Sequence, residues 1–480
     1  MSLKGILLLP LIVKSVGATT YGGFVLTLSV LGIAVGLSSV GIGVTARRFL
    51  PSAGAIGRRE LFYPQFYFNL AAVLACSALL YAFQQPLRVY LLDGAMFSFG
   101  IVPLYLVLYM FYSQGTDYLR YTGRVRYMTV AVATFPYLHI GFILFGVLNR
   151  WPMNIDLLVG SMALAAAVVA APCLYLIVKE IGIRPVFYGR TEFRADARLG
   201  LPLFLVFFVD IVLSGGDRYA ISYYLSVTDV GYYVPAYVLG SLVVLIPKAM
   251  GTALPQLLAQ SVDDGDEERA KTMLNYAVKL FVLLAIPFVF GCLALGQPIL
   301  RLLANEEIAA RSSYVAPLIA ISTFFSGFAL ILMHAMFVRL QTRDMFVTNL
   351  VGAAVSLVGN WVLLYFFRHI VVAALVNVAS CVAAFIYAYH VVRKQDLSIA
   401  YVPVLWRAAA ASSIMYGFLW SVAGASAPGP LMIGAQVALG AVVYLPTLVA
   451  LRTFSGREIA FLRTTIAAYC RPVLNVRGAL

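Results

Sequence analysis

The sequence predicts an all-α polytopic membrane protein of about fourteen transmembrane helices, built as two parallel six-helix repeats followed by two appended helices. Composition is the first reason. Of the 480 residues, 62% are hydrophobic and only 11% charged, with a mean hydropathy of +0.92. A soluble domain carries about 25% charged residues, so water would not solvate this chain and lipid is its solvent. Patterning is the second reason. In lipid only helices and closed barrels satisfy their own backbone, and long continuous apolar runs stand here in place of a barrel's alternation. The third is an internal repeat. Tyr21-Gly22-Gly23-Phe24 matches Val230-Gly231-Tyr232-Tyr233 at an offset of 231 − 22 = 209. The stretch from Gln85 to Leu92 matches that from Gln297 to Leu303 at 297 − 85 = 212. Short Gly, Tyr and Leu matches also arise by chance in an apolar chain, but two at nearly one offset favour a duplication.

Taken in order, helices are expected near 21–45, 61–83, 96–113, 128–148, 156–178, 200–224, 229–252, 273–295, 312–336, 346–366, 370–392, 404–424 and 431–452. Most reach the ~20 residues that span ~30 Å of hydrocarbon. A shorter apolar stretch at 3–13 covers barely half a bilayer before Lys14. It reads either as a half-span or as the remainder of a longer first helix. The second reading is preferred, and it puts both termini on one side.

Loop charges alternate as this topology requires. One side carries Arg47, Arg48, Arg58 and Arg59, then Arg120, Arg124 and Arg126, then Lys179 and the arginines up to Arg198. In the second half the same side carries Arg269, Lys271, Arg339, Arg343, Arg393 and Lys394. By the positive-inside rule this side is cytoplasmic. The asymmetry largely accounts for the net charge of +14 without invoking nucleic acid, since no basic soluble domain is present to bind it. The organisation follows: an N-terminal bundle at 1–180 with a truncated first helix, a cytoplasmic linker at 181–198, a second bundle at 199–394, two appended spans at 395–454 and a cytoplasmic tail at 455–480. In the tail Ile459, Leu462, Ile466 and Tyr469 have the spacing of a helix lying on the membrane surface.

Several segments carry a family resemblance. Leu201-Pro202, Gly215-Gly216-Asp217-Arg218-Tyr219, Asp229-Val230-Gly231-Tyr232-Tyr233 and Ala236-Tyr237 resemble the start of the second half in bacterial oligosaccharide flippases. These belong to the multidrug/oligosaccharidyl-lipid/polysaccharide exporter (MOP) superfamily and move undecaprenyl-pyrophosphate-linked repeat units of O-antigen or exopolysaccharide. Val16-Gly17-Ala18 with Tyr21-Gly22 is similar to that family's loop between spans one and two. Val44 to Phe49 is similar to the end of span two. Thr122-Gly123-Arg124 and Gln341-Thr342-Arg343 are similar to the matched turns of the two halves. The resemblance implies an inner-membrane translocase working by alternating access in surface polysaccharide biosynthesis. Its implied substrate is a lipid-linked oligosaccharide, with a polysaccharide polymerase and export machinery as partners and no cofactor.

The residues themselves indicate transport rather than catalysis. No nucleophile–base pair stands at useful spacing, and His139, His334, His369 and His390 lack metal-ligand spacing. Intramembrane charge is costly and therefore informative. Asp210 and Asp217 lie seven apart on one face of span seven, with Arg218 beside the second. Two readings stand: a polar gate that rearranges between inward- and outward-open states, or a local ion pair or cap. Candidate substrate contacts are Arg47 and Arg48 at the end of span two, Lys248 at the end of span eight and Lys279 about two turns into span nine. The position equivalent to Lys248 is 248 − 209 = 39, close to the Arg47-Arg48 pair. Guanidinium forks at an inner mouth suit a pyrophosphate; snorkelling to headgroups is the alternative. A cation-coupled multidrug exporter would want carboxylates deep in the first bundle, where none stands mid-span. A peptidoglycan lipid-precursor flippase is excluded less firmly. A membrane glycan polymerase would want a sizeable outer loop with catalytic arginines or histidines.

Overall fold

The computed structural model describes residues 4–39, 50, 54–90, 100–183, 185–251, 254–394, 402–422 and 429–454. The elements among them are all helical. The first half comprises α1 (Lys4–Ser39), α2 (Ala55–Ala82), the short α3 (Gln84–Tyr90), α4 (Ile101–Tyr121), α5 (Val125–Leu148) and α6 (Ile155–Ile181). The second comprises α7 (Arg190–Tyr224), α8 (Val227–Gly240), a 3-10 turn at Ser241–Val244, α9 (Leu245–Met250), α10 (Leu254–Asp263), α11 (Glu267–Leu303), α12 (Glu306–Arg311), α13 (Val315–Val338), α14 (Thr342–Phe367) and α15 (Ile370–Arg393). The appended pair is α16 (Val402–Val422) and α17 (Pro430–Ala450). Among the described residues, eleven helices are long and apolar enough to cross a membrane. With α4, α7 and a break that divides α1 in two, the path has the fourteen segments expected, the first of them short.

That break corrects the expected loop between spans one and two. Helix resumes on both sides of Gly17 alone, whose φ of 75° and ψ of 175° suit only glycine. The corresponding break in the second half lies between α7 and α8. There Ser226, at 226 − 209 = 17, is extended, and its hydroxyl accepts the N–H of Asp229 at 3.1 Å. The chain thus interrupts itself at the same place in each repeat. The turns at the next corner also match. Gly123 (φ 76°) and Leu340 (φ 57°) are both left-handed, and the following N–H groups, of Arg124 and Gln341, reach back to Leu119 and Met336 carbonyls. The offset here is 340 − 123 = 217, so the second turn sits at Leu340-Gln341 rather than at Gln341-Thr342-Arg343. The other repeat, at 85 and 297, diverges in structure. Residues 85–90 lie in the separate α3, whereas 297–303 continue α11 to its end.

Helix ends are capped by the polar residues beside them. Asn154 caps α6, and Asn305 caps α12. Within the acidic run at 263–268, Asp266 caps α11 and Glu267 pairs with Arg339 at 2.6 Å. In the first half Glu180 takes both Arg58 and, at 3.0 Å, Arg124, while Arg59 donates to the Ile181 carbonyl. These contacts gather the ends of α2, α4, α5 and α6 at one arginine-rich end of the bundle.

The two most extensive helix pairs are α4 with α6 and α13 with α15, equivalent pairs in the two repeats. Small residues let the helices approach, as lipid-facing bundles require; Ser380 donates to the Gly352 carbonyl at 2.7 Å between α14 and α15. The core is divided in a way that bears on function. One cluster runs through the first half and takes in α8 and the ends of α7, α11, α13, α14 and α15 remote from the arginines. Among the described residues two further clusters stand apart from it. One, around Phe62, Tyr63 and Tyr118, belongs to the first half. The other, around Phe281 and Phe328, belongs to the second half and its appended helices. The expected tail helix at Ile459–Tyr469 lies outside the described residues.

Candidate functional site

α1 and α8 meet along the join between the halves, and their contact obeys the repeat. A Cβ on Gly22 would stand 2.1 Å from the carbonyl oxygen of Val227 and 2.9 Å from the N of Gly231. A Cβ on Gly231 would stand 2.0 Å from the carbonyl oxygen of Ala18. Since 227 − 18 = 209 and 231 − 22 = 209, each residue touches the copy of its partner, as across a two-fold axis. Thr19 and Thr228, also 209 apart, share a hydrogen bond of 2.8 Å between their hydroxyls. Only glycine permits this approach of two backbones.

Next to this seam lies the charged group of α7, which runs unbroken through Gly215-Gly216. Asp217 is buried at 2% exposure. Its carboxylate accepts the Tyr233 hydroxyl at 2.7 Å and the Arg218 N–H at 2.8 Å. The Arg218 guanidinium sits over the Tyr237 ring, 5.2 Å from its centroid. Two tyrosines of α8 therefore hold the Asp217-Arg218 pair, one by hydrogen bond and one by its face. Asp210, two turns back along α7, is exposed.

The candidate substrate cations are placed separately. Lys248 is exposed in the last turn of α9. Lys279 directs its Nζ over the ring of Phe454, 5.6 Å from its centroid, where the chain leaves α17. Arg47 and Arg48 lie outside the described residues.

The structure also gathers polar residues that sequence reasoning passed over. A cavity of about 400 Å³ opens between α1, α2 and α4, with Phe207 of α7 at its border. Gln65 and Asn69 line it from α2, and Ser113, Gln114 and Asp117 from α4. The signal was present in the sequence: four residues separate the first two and three or four the others, so each set shares one helix face within an apolar run. At the cavity's edge the Phe207 ring rests on Gly36, where a Cβ would stand 1.7 Å from it.

The MatE family profile matches residues 202–362, about a third of the chain, from α7 through most of α14. No curated protein matches the chain in sequence. Solved structures do. The lipid II flippase MurJ in an inward closed conformation matches with a TM-score of 0.72 at 13% identity, over 92% of this chain and 95% of its own. An inward-facing multidrug resistance MATE family transporter of the MOP superfamily matches with a TM-score of 0.68 at 13% identity, over 83% and 96%. The chain has the fold of the MOP superfamily. Within that MOP fold, an outward-facing MATE family transporter gives a lower TM-score, 0.54, at 14% identity over 82% and 92%.

Proposed function

We propose that this chain is a flippase that moves polyprenyl-pyrophosphate-linked oligosaccharide repeat units across the bacterial inner membrane for surface polysaccharide synthesis. The observation that carries the reading is the seam. Two copies of one segment join the halves backbone to backbone at one end of the bundle, while among the described residues each half also has a buried cluster of its own. Rocking about such a join opens one end as the other closes, which is alternating access. The positive-inside rule makes the arginine-rich end cytoplasmic, with both termini on that side. The likeness to a lipid II flippase over nearly its whole length supports a lipid-linked substrate. Arg47, Arg48, Lys248 and Lys279 are proposed to meet the pyrophosphate, and the Asp217-Arg218 pair, with Asp210, to report the state of the seam. Polymerase and export proteins would take the product.

The MatE match supports a second reading, a cation-coupled multidrug exporter. It fits less well, because Asp117, the carboxylate lining the first-half cavity, already has Arg120 at 3.5 Å. A deletion strain separates the two. The flippase reading expects lost surface polysaccharide and lipid-linked repeat units trapped on the cytoplasmic leaflet. Intact polysaccharide with increased drug sensitivity would assign the chain to drug export.

A further inference from the structure

We propose that the cavity between α1, α2 and α4 is a carbohydrate subsite that reads the sugars of the transported lipid. The inference rests on the flippase reading and adds to it a place and a chemistry for glycan recognition.

The volume of about 400 Å³ falls within the roughly 300–1,000 Å³ of small-molecule sites. Its polar lining is neutral. Gln65, Asn69, Ser113 and Gln114 carry no charge, and Asp117 is offset by Arg120 one turn on, at 3.5 Å. A phosphate would want basic residues here and a cationic drug a free carboxylate. Leu28, Leu31 and Val35 make the α1 side apolar, but a lipid tail would leave the polar face of α2 and α4 without partners. The lining therefore suits a ligand rich in uncharged groups that both donate and accept.

Asn69 points to such a ligand independently. It is 5% exposed, lines the cavity, and its Oδ1 meets no donor among the described residues. A buried amide oxygen left without a donor is costly, so the site is built for a group that brings one. Gln114, 7% exposed, stands on the opposite helix with a second amide. Amides can accept from one hydroxyl and donate to the next, matching the two-way hydrogen bonding of sugar hydroxyls. Tyr105 and Tyr109 stack at 5.5 Å along α4 and line the same space, offering ring surface to the C–H faces of a sugar. On the α1 wall Gly32 faces open space, for a Cβ there would meet nothing within 4 Å.

The test uses the full chain in lipid nanodiscs and two probes: the polyprenyl-pyrophosphate-linked glycans that accumulate in a deletion strain, and bare polyprenyl pyrophosphate. Wild type should bind the glycan-bearing lipid about tenfold or more tighter than the bare lipid, the worth of one or two hydrogen bonds. The Asn69→Ala, Gln114→Ala double variant should bring that ratio close to one. Gly32→Leu, whose Cβ would meet nothing within 4 Å and which removes no polar group, should do the same by filling the cavity and guards against a folding defect in the first variant. A wild-type preference that survives in both variants would overturn the subsite and leave the flippase reading standing. So would equal wild-type affinity for the two probes. Wild type that binds neither probe would overturn the flippase reading and the subsite together.

Discussion

Gly22 and Gly231 do two things that the same residue type makes possible. They mark the duplication in the sequence, and in the structure they are where its two copies touch. A Cβ at Gly231 would stand 2.0 Å from a carbonyl oxygen, closer than any atoms pack, so the helices must part to admit it. Overpacking of this kind costs about 1–3 kcal/mol. Gly231→Ala and Gly22→Ala should each lower the melting temperature of the purified protein and reduce transport of lipid-linked glycan by more than the lost folded fraction explains. Normal transport in both would mean that the close seam is not part of the cycle. The sequence made these two positions legible because a repeated glycine beside a repeated aromatic stands out in an apolar run. It showed Asn69 and Gln114 sharing a helix face with other polar residues, but not what that face meets. One amide in an apolar helix looks the same whether it faces a neighbour, lipid or a cavity, and only the packing of α1, α2 and α4 decides which.

Among the elements, breaks were harder to place than helices. Hydrophobic runs located the spans, because burial in lipid demands length and apolarity together, but not their polar ends: α7 begins at Arg190 inside the expected linker, and α4 and α11 run on to Tyr121 and Leu303. The loop expected around Gly17 shrinks to that residue, since one glycine with φ of 75° and ψ of 175° redirects the chain without a longer turn. Ser226 makes the equivalent break in extended backbone with a side-chain cap, so its sequence gives no hint that the two positions correspond. The two should respond differently. Gly17→Ala forces a side chain into a conformation essentially reserved for glycine, at a cost of about 1–3 kcal/mol. Ser226→Ala loses a cap worth about 0.5–2 kcal/mol, and Ser226→Thr keeps both the accepted Asp229 N–H and the hydroxyl donated to its carboxylate at 2.6 Å. Thermal unfolding should therefore show a deficit at position 17 that no non-glycine residue repairs, and a deficit at 226 that Thr restores. Equal tolerance of Ala and Asp at position 17 would contradict the backbone account.

For the whole molecule, the parallel six-helix repeats were readable from span count and loop charge, but the way the halves are joined was not. That depends on which ends share a core, and hydropathy is alike at both ends of every helix. The backbone contact of α1 with α8 makes the Thr19–Thr228 pair a natural place to stop the motion. Their hydroxyl oxygens lie 2.8 Å apart across the seam, within reach of the ~2.05 Å sulfur–sulfur bond with a small adjustment. Thr19→Cys with Thr228→Cys should form a disulfide under mild oxidation that holds this end shut. The bond constrains the seam without removing a buried contact, so the cross-linked protein should keep its melting temperature or gain from the closed loop. Transport should stop on oxidation and return on reduction, while either single cysteine variant transports under both conditions. If the oxidised double variant, shown to be cross-linked by its gel mobility, still carried lipid-linked glycan across proteoliposomes, translocation would not require the seam to open. The rocking of two bundles about α1 and α8 would then give way to a path within one half.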